Sequence, residues 1–72
     1  MKLKEAVKEA CKLVKESRTY WLAVDENGTI CCYFEKPHLY SKCWNEILGC
    51  LVVQGRYTGK KHWTRAIRKF TL

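Results

Sequence analysis

Leu3, Val7, Ala10, Cys11 and Val14 recur at i, i+4, i+7, i+8 and i+11, the spacing of one apolar stripe on an α-helix. Between them Lys2, Lys4, Lys8, Lys12 and Lys15 alternate with Glu5, Glu9 and Glu16, which predicts a solvated outer face. The period then changes from 3.6 to 2. Tyr20, Leu22 and Val24 alternate with Trp21 and Ala23, and after Asp25-Glu26-Asn27-Gly28 a second run carries Ile30, Cys32 and Phe34.

Two turns fit that hairpin. An Asn27-Gly28 turn pairs Val24 with Cys31. A type I turn through Asp25-Glu26-Asn27, with Gly28 left-handed in a bulge, pairs Val24 with Ile30, Leu22 with Cys32 and Tyr20 with Phe34. The second register gathers the apolar side chains on one face, which a layered fold must bury, and it is the expected one. Lys36-Pro37-His38 ends the strand, because proline cannot donate to a ladder.

Residues 38–45 read as a loop or irregular edge. The uninterrupted run Ile47-Leu48-Gly49-Cys50-Leu51-Val52-Val53 predicts a third strand, the most buried. Beyond Gly55-Arg56-Tyr57-Thr58-Gly59, Trp63, Ala66, Ile67 and Phe70 fall at i, i+3, i+4 and i+7. With Thr58 or Gly59 as cap, they predict a final helix over 60–70. The expected fold is α+β, a single domain over 1–72. Its order is α-β-β-β-α, with two helices packed on one face of a three-stranded antiparallel sheet.

A chain of 72 residues holds one small core. No apolar run reaches the roughly 18 residues of a membrane span, and the N-terminal segment lacks the apolar stretch of a signal peptide. A cytoplasmic protein with no membrane partner is expected, and in that compartment five cysteines stay reduced. Charge divides the chain unevenly. Residues 1–54 carry eight Lys/Arg against seven Asp/Glu, whereas residues 55–72 carry six basic residues and no acid.

The cysteines suggest no chemistry. Cys31 and Cys32 are adjacent on a strand and point to opposite faces. With His38, Cys43, Cys50 and His62 they form no C-x2-C or H-x3-H pair of the kind that holds zinc. Core packing is the expected role, for Cys50 in the third strand as for Cys11 on the helix stripe. Cys43 and His38 lack an orienting group, the carboxylates are isolated or in turns, and no phosphate-binding glycine loop occurs. A non-enzymatic protein without cofactor or metal follows.

Binding is the remaining class. Lys61, Arg65, Arg68 and Lys69, with Arg56 just before, form a cationic patch suited to an acidic protein surface or to nucleic acid. A solvated face that only aids solubility fits equally. Trp21 and Tyr33 fall on the side of the sheet away from Tyr20 and Leu22, where they would anchor a partner, stack bases or make a homodimer through the sheet.

The block TYWLAVDENGTICCYFEKP, Trp44 and the closing HWTRAI resemble a loose family of short proteins from tailed-phage genomes. Tyr20, Ala23, Asp25, Gly28, Tyr33, Phe34, Lys36, Pro37, Trp44, Trp63 and Ile67 carry the likeness. It implies a phage accessory protein that acts by binding host or phage macromolecules, and it brings no catalytic residues. The cysteine pair departs from the small or aromatic residues expected there. The positive charge excludes an acidic mimic of DNA.

Overall fold

The computed structural model describes all 72 residues. Helix α1 (Leu3–Leu13) is followed by strands β1 (Thr19–Val24) and β2 (Thr29–Tyr33). A short pair comes next, β3 (His38–Leu39) and β4 (Trp44–Asn45). Then come β5 (Cys50–Arg56), one 3-10 turn (Trp63–Arg65) and β6 (Ile67–Thr71). The four longer strands make one antiparallel sheet in the order β5-β2-β1-β6, and β3 and β4 pair only with each other.

The β1–β2 hairpin takes the bulged register: Val24 lies opposite Ile30 and Leu22 opposite Cys32. Gly28 N–H donates to Asp25 O and Asp25 N–H to Thr29 O, both at 2.9 Å. Gly28 makes the left-handed step at φ +89°, where a Cβ would be strained. Alternation then places Tyr20, Leu22, Val24, Ile30 and Cys32 on one face, all of them buried.

That face is covered by α1. Glu5 accepts the Lys2 N–H at 3.2 Å at the helix start, and Ala6, Ala10 and Val14 turn inward. The two alanines are fully buried and let the helix lie close to the sheet. Val53, Ala66 and Phe70 complete the core, with Phe70 stacked on Tyr20 at 5.5 Å between ring centres. Burying side chains the size of Leu22 or Ile30 contributes about 1.5–3 kcal/mol each.

The expected α-β-β-β-α fold with two helices on a three-stranded sheet is therefore incorrect: one helix packs on four strands. Residues 67–71 do not continue a helix. They pair antiparallel with β1, Ala23 opposite Ile67 and Tyr20 opposite Phe70. The spacing of Trp63, Ala66, Ile67 and Phe70 suits a helix, but an open β1 edge offers this segment a whole ladder of hydrogen bonds. In the strand, Ile67 and Phe70 serve opposite faces.

The third long strand is displaced as well. It starts at Cys50, because Gly49 N–H donates to Glu46 O at 2.9 Å and Leu48 N–H to the Glu46 carboxylate at 2.8 Å, closing a turn. Ile47 and Leu48 are left exposed. The strand is not the most buried of the sheet but an edge, with Val53 its one buried side chain.

The second face of the sheet is covered at its centre. The 38–49 segment folds back there through Lys42 and Trp44, so that Ala23, Cys31 and Tyr33 are buried with Trp21, Trp44 and Ile67 around them. Cys50 and Val52, at the β5 edge of this face, stay exposed. Four hydrogen bonds hold this cover. Tyr33 Oη donates to Trp44 O at 2.9 Å, Trp44 N–H to Asp25 Oδ1 at 2.9 Å, Trp44 Nε1–H to Trp63 O at 3.3 Å and Glu26 N–H to Lys42 O at 3.0 Å.

Candidate functional site

Strand β5 leaves the sheet at Arg56, and the chain loops round to β6. This loop is tied down along its length. Tyr57 N–H donates to Gly28 O at 2.9 Å and Thr58 N–H to Met1 O at 2.8 Å. The Tyr57 ring lies against Gly59, where a Cβ would overlap it, and its hydroxyl accepts Lys61 N–H at 3.2 Å. His62 Nδ1 accepts Thr64 N–H at 3.3 Å and so caps the Trp63–Arg65 turn, while Arg65 N–H donates to His62 O at 2.9 Å. Trp63 anchors the turn by packing on the core.

Two adjoining concavities result. One, of about 610 Å³, is lined by Lys60, Lys61, His62 and Arg65. The other, of about 410 Å³, shares Lys60 and Lys61 and extends to Lys2, Lys4, Tyr57 and Arg68. No carboxylate lines either of them. The ion pairs of the molecule lie elsewhere: Lys12 with Glu9, and Arg18 with Glu16 and Glu35. Lys2, Lys4, Lys60, Lys61, Arg65 and Arg68 are thus six cations without a counter-charge of their own. Their repulsion is screened by salt over a Debye length of roughly 8–10 Å, and a bound polyanion would remove it.

The strand at 67–71 divides the patch expected at the C-terminus. Lys61, Arg65 and Arg68 come together in the groove, Arg68 on the α1 side of the sheet with Phe70. Lys69, one residue on, points to the other face, its Nζ 5.7 Å from the centre of the Trp21 ring. Arg56 lies outside both concavities and donates from Nη1 to Asn27 O. Trp21 is half-buried beneath Lys69. Tyr33, 2% exposed and hydrogen-bonded through its hydroxyl, has no surface to offer as an anchor.

Lys2 and Lys4 are the members that sequence reasoning assigned to a merely solvated helix face. Only the fold brings them to residues 57–61, fifty-odd positions away, through Met1 and Thr58. Nothing local marks them.

Burial raises the Cys31 thiol to about 12, reinforced by its neighbour Cys50, and raises Cys32 to about 11, so both remain protonated at neutral pH. Desolvation, with Cys31 next in weight, also pushes the Tyr33 phenol up. Cys50, expected in the core, is instead exposed on β5. No three His, Cys, Asp or Glu side chains converge in a metal-binding group.

No family model, no curated protein and no solved structure matches this chain.

Proposed function

We propose that this chain is a non-enzymatic binding module that lays its cationic groove along a polyanion, the phosphate backbone of a nucleic acid being the partner the groove fits best. The observation that carries this reading is the groove itself: six unpaired cations from both ends of the chain, in two confluent concavities without a carboxylate. Four of the six are lysines. They act as point charges without the fixed fork of arginine, and so suit phosphates irrespective of base sequence. Base stacking on the sheet is not part of the proposal, since Trp44 packs over the centre of that face and Tyr33 is buried there.

No helix is long and apolar enough to cross a membrane. The resemblance to short tailed-phage proteins fits an accessory role in the host cytoplasm. The test is binding to labelled single- and double-stranded DNA and RNA across a salt series. The expected log–log slope is about −3 to −5, from roughly 0.7–0.9 per phosphate neutralised. Lys61→Glu and Arg68→Glu should each weaken binding and flatten that slope. Flat titrations at low salt would discard nucleic acid and leave an acidic protein surface as the partner to seek.

A further inference from the structure

We infer that the β5 edge is a self-association surface, and that two copies of this chain join their β5 strands antiparallel into one continuous eight-stranded sheet. Outside its ladder with β2, no backbone hydrogen bond reaches Cys50–Gly55. The far end of the strand is closed, since the N-terminal ammonium donates to Arg56 O and the Met1 side chain lies on Gly55. The free stretch is therefore 50–54, a row of unpaired donors and acceptors of the kind that templates another strand.

Strand edges in native proteins are usually blunted by charge, proline or cover. The opposite edge of this sheet, β6, carries Arg68 and Lys69. Residues 47–55 carry no charge and no proline. Val52 is 61% exposed, and Leu48 and Leu51 beside it are exposed too.

Charge and register both select a second copy as the occupant. The molecule is +7 overall; six of its unpaired cations line the groove, and the one cation on β5, Arg56, lies beyond the free stretch and donates to Asn27 O. A like-charged copy can approach only where the surface is neutral. The one charged pair beside β5 is Glu9 with Lys12, which neutralise each other at 3.0 Å.

The sequence Gly49-Cys50-Leu51-Val52-Val53-Gln54-Gly55 is close to symmetric about Val52. A two-fold axis there sets Val52 against Val52, Leu51 against Val53 and glycine against glycine. It also directs the second copy's Leu51 into the groove of about 220 Å³ between β5 and α1, lined by Lys12, Leu13, Val52 and Gln54 among others.

The test is sedimentation velocity on the full chain from about 10 µM to about 1 mM, the range of weak transient pairs. The mass should rise from 8.5 kDa toward twice that value, and more readily at high salt, which screens the repulsion between copies. That salt dependence is opposite in sign to the one expected for the cationic groove. Val52→Lys should hold the protein monomeric, with circular dichroism reporting an intact fold. Lys69→Glu, on the other edge, should dimerise at least as well as the wild type. Should Val52→Lys fail to fold, Gln54→Lys probes the same edge. A wild-type chain that stays monomeric at the highest concentration, or a dimer indifferent to both lysine substitutions, would overturn the inference.

Discussion

The two faces of the sheet are buried by different means. Against one lies α1, and eleven buried apolar residues form a continuous core beneath it. Against the other lies a twelve-residue excursion with two strands of two residues each, and only Ala23, Cys31 and Tyr33 are buried there. The first face is held by apolar area. The second is held by polar clasps, three of them made by Trp44 alone: its carbonyl accepts from Tyr33, its amide reaches Asp25, and its indole reaches the Trp63 carbonyl. A helix can cover a face by packing alone, whereas a stretch this short needs hydrogen bonds at fixed points.

The largest effect is expected on the helix-covered face. Leu22→Ala empties a fully buried site next to Tyr20 and Cys32 and should cost about 3–4 kcal/mol in urea denaturation, with the whole domain losing stability together. Were the loss below about 1 kcal/mol, the two faces would not differ as described.

Trp44→Ala should cost less, about 2 kcal/mol, because the side chain is half-buried and water can replace the indole hydrogen bond. Its signature is local: amide exchange should accelerate across 38–49 while the amides of β1 and β2 keep their protection. Uniform acceleration would mean that the cover and the core open as one unit.

The finest comparison uses one thiol on each face. Cys31 and Cys32 have pKa values raised from the ordinary 9.0 to about 12 and about 11. A raised acid pKa means that the folded state holds its proton longer than the unfolded state. The associated stability is complete below pH 9 and is lost as pH rises toward 11 and 12. At pH 10 each thiol should account for about 1 kcal/mol of lost stability, and Cys31→Ala or Cys32→Ala should each remove its share of the slope. Equal shares would show that the polar-clasped face is as dry as the helix-covered one. A share near zero for Cys31 would show that water enters it.

The same contrast explains what could be read from the amino acids. The helix stripe and the register of the first hairpin were legible, since Asp25-Glu26-Asn27-Gly28 specifies a bulged turn and the register follows from it. The cover was not legible, because its determinants are single hydrogen bonds to Asp25 and Trp63, which have no periodicity. Strand β6 was misread because Ala66, Ile67 and Phe70 satisfy a helical period. The hydrogen bonds that decide otherwise come from β1, distant in sequence. Of the cationic site, Lys61, Arg65 and Arg68 were visible as a cluster, whereas Lys2 and Lys4 join it only through tertiary structure. The count of basic residues marked the right region, but the faces they would occupy depended on the strand.

Strand β1 lies in the middle of the sheet, with β2 on one side and β6 on the other. The first neighbour follows immediately in the chain. The second requires closing a loop of about 45 residues, at an entropic cost of roughly 3 kcal/mol that a tight turn largely avoids. The hairpin is therefore expected to form early and the docking of β6 to limit the folding rate. Until that step, Tyr20 lacks its stacking partner Phe70, and the outer hydrogen bonds of β1 face solvent. A nascent chain would keep its central strand sticky until the last five-residue strand had emerged, and the time spent there would set its exposure to chaperones and to misassembly.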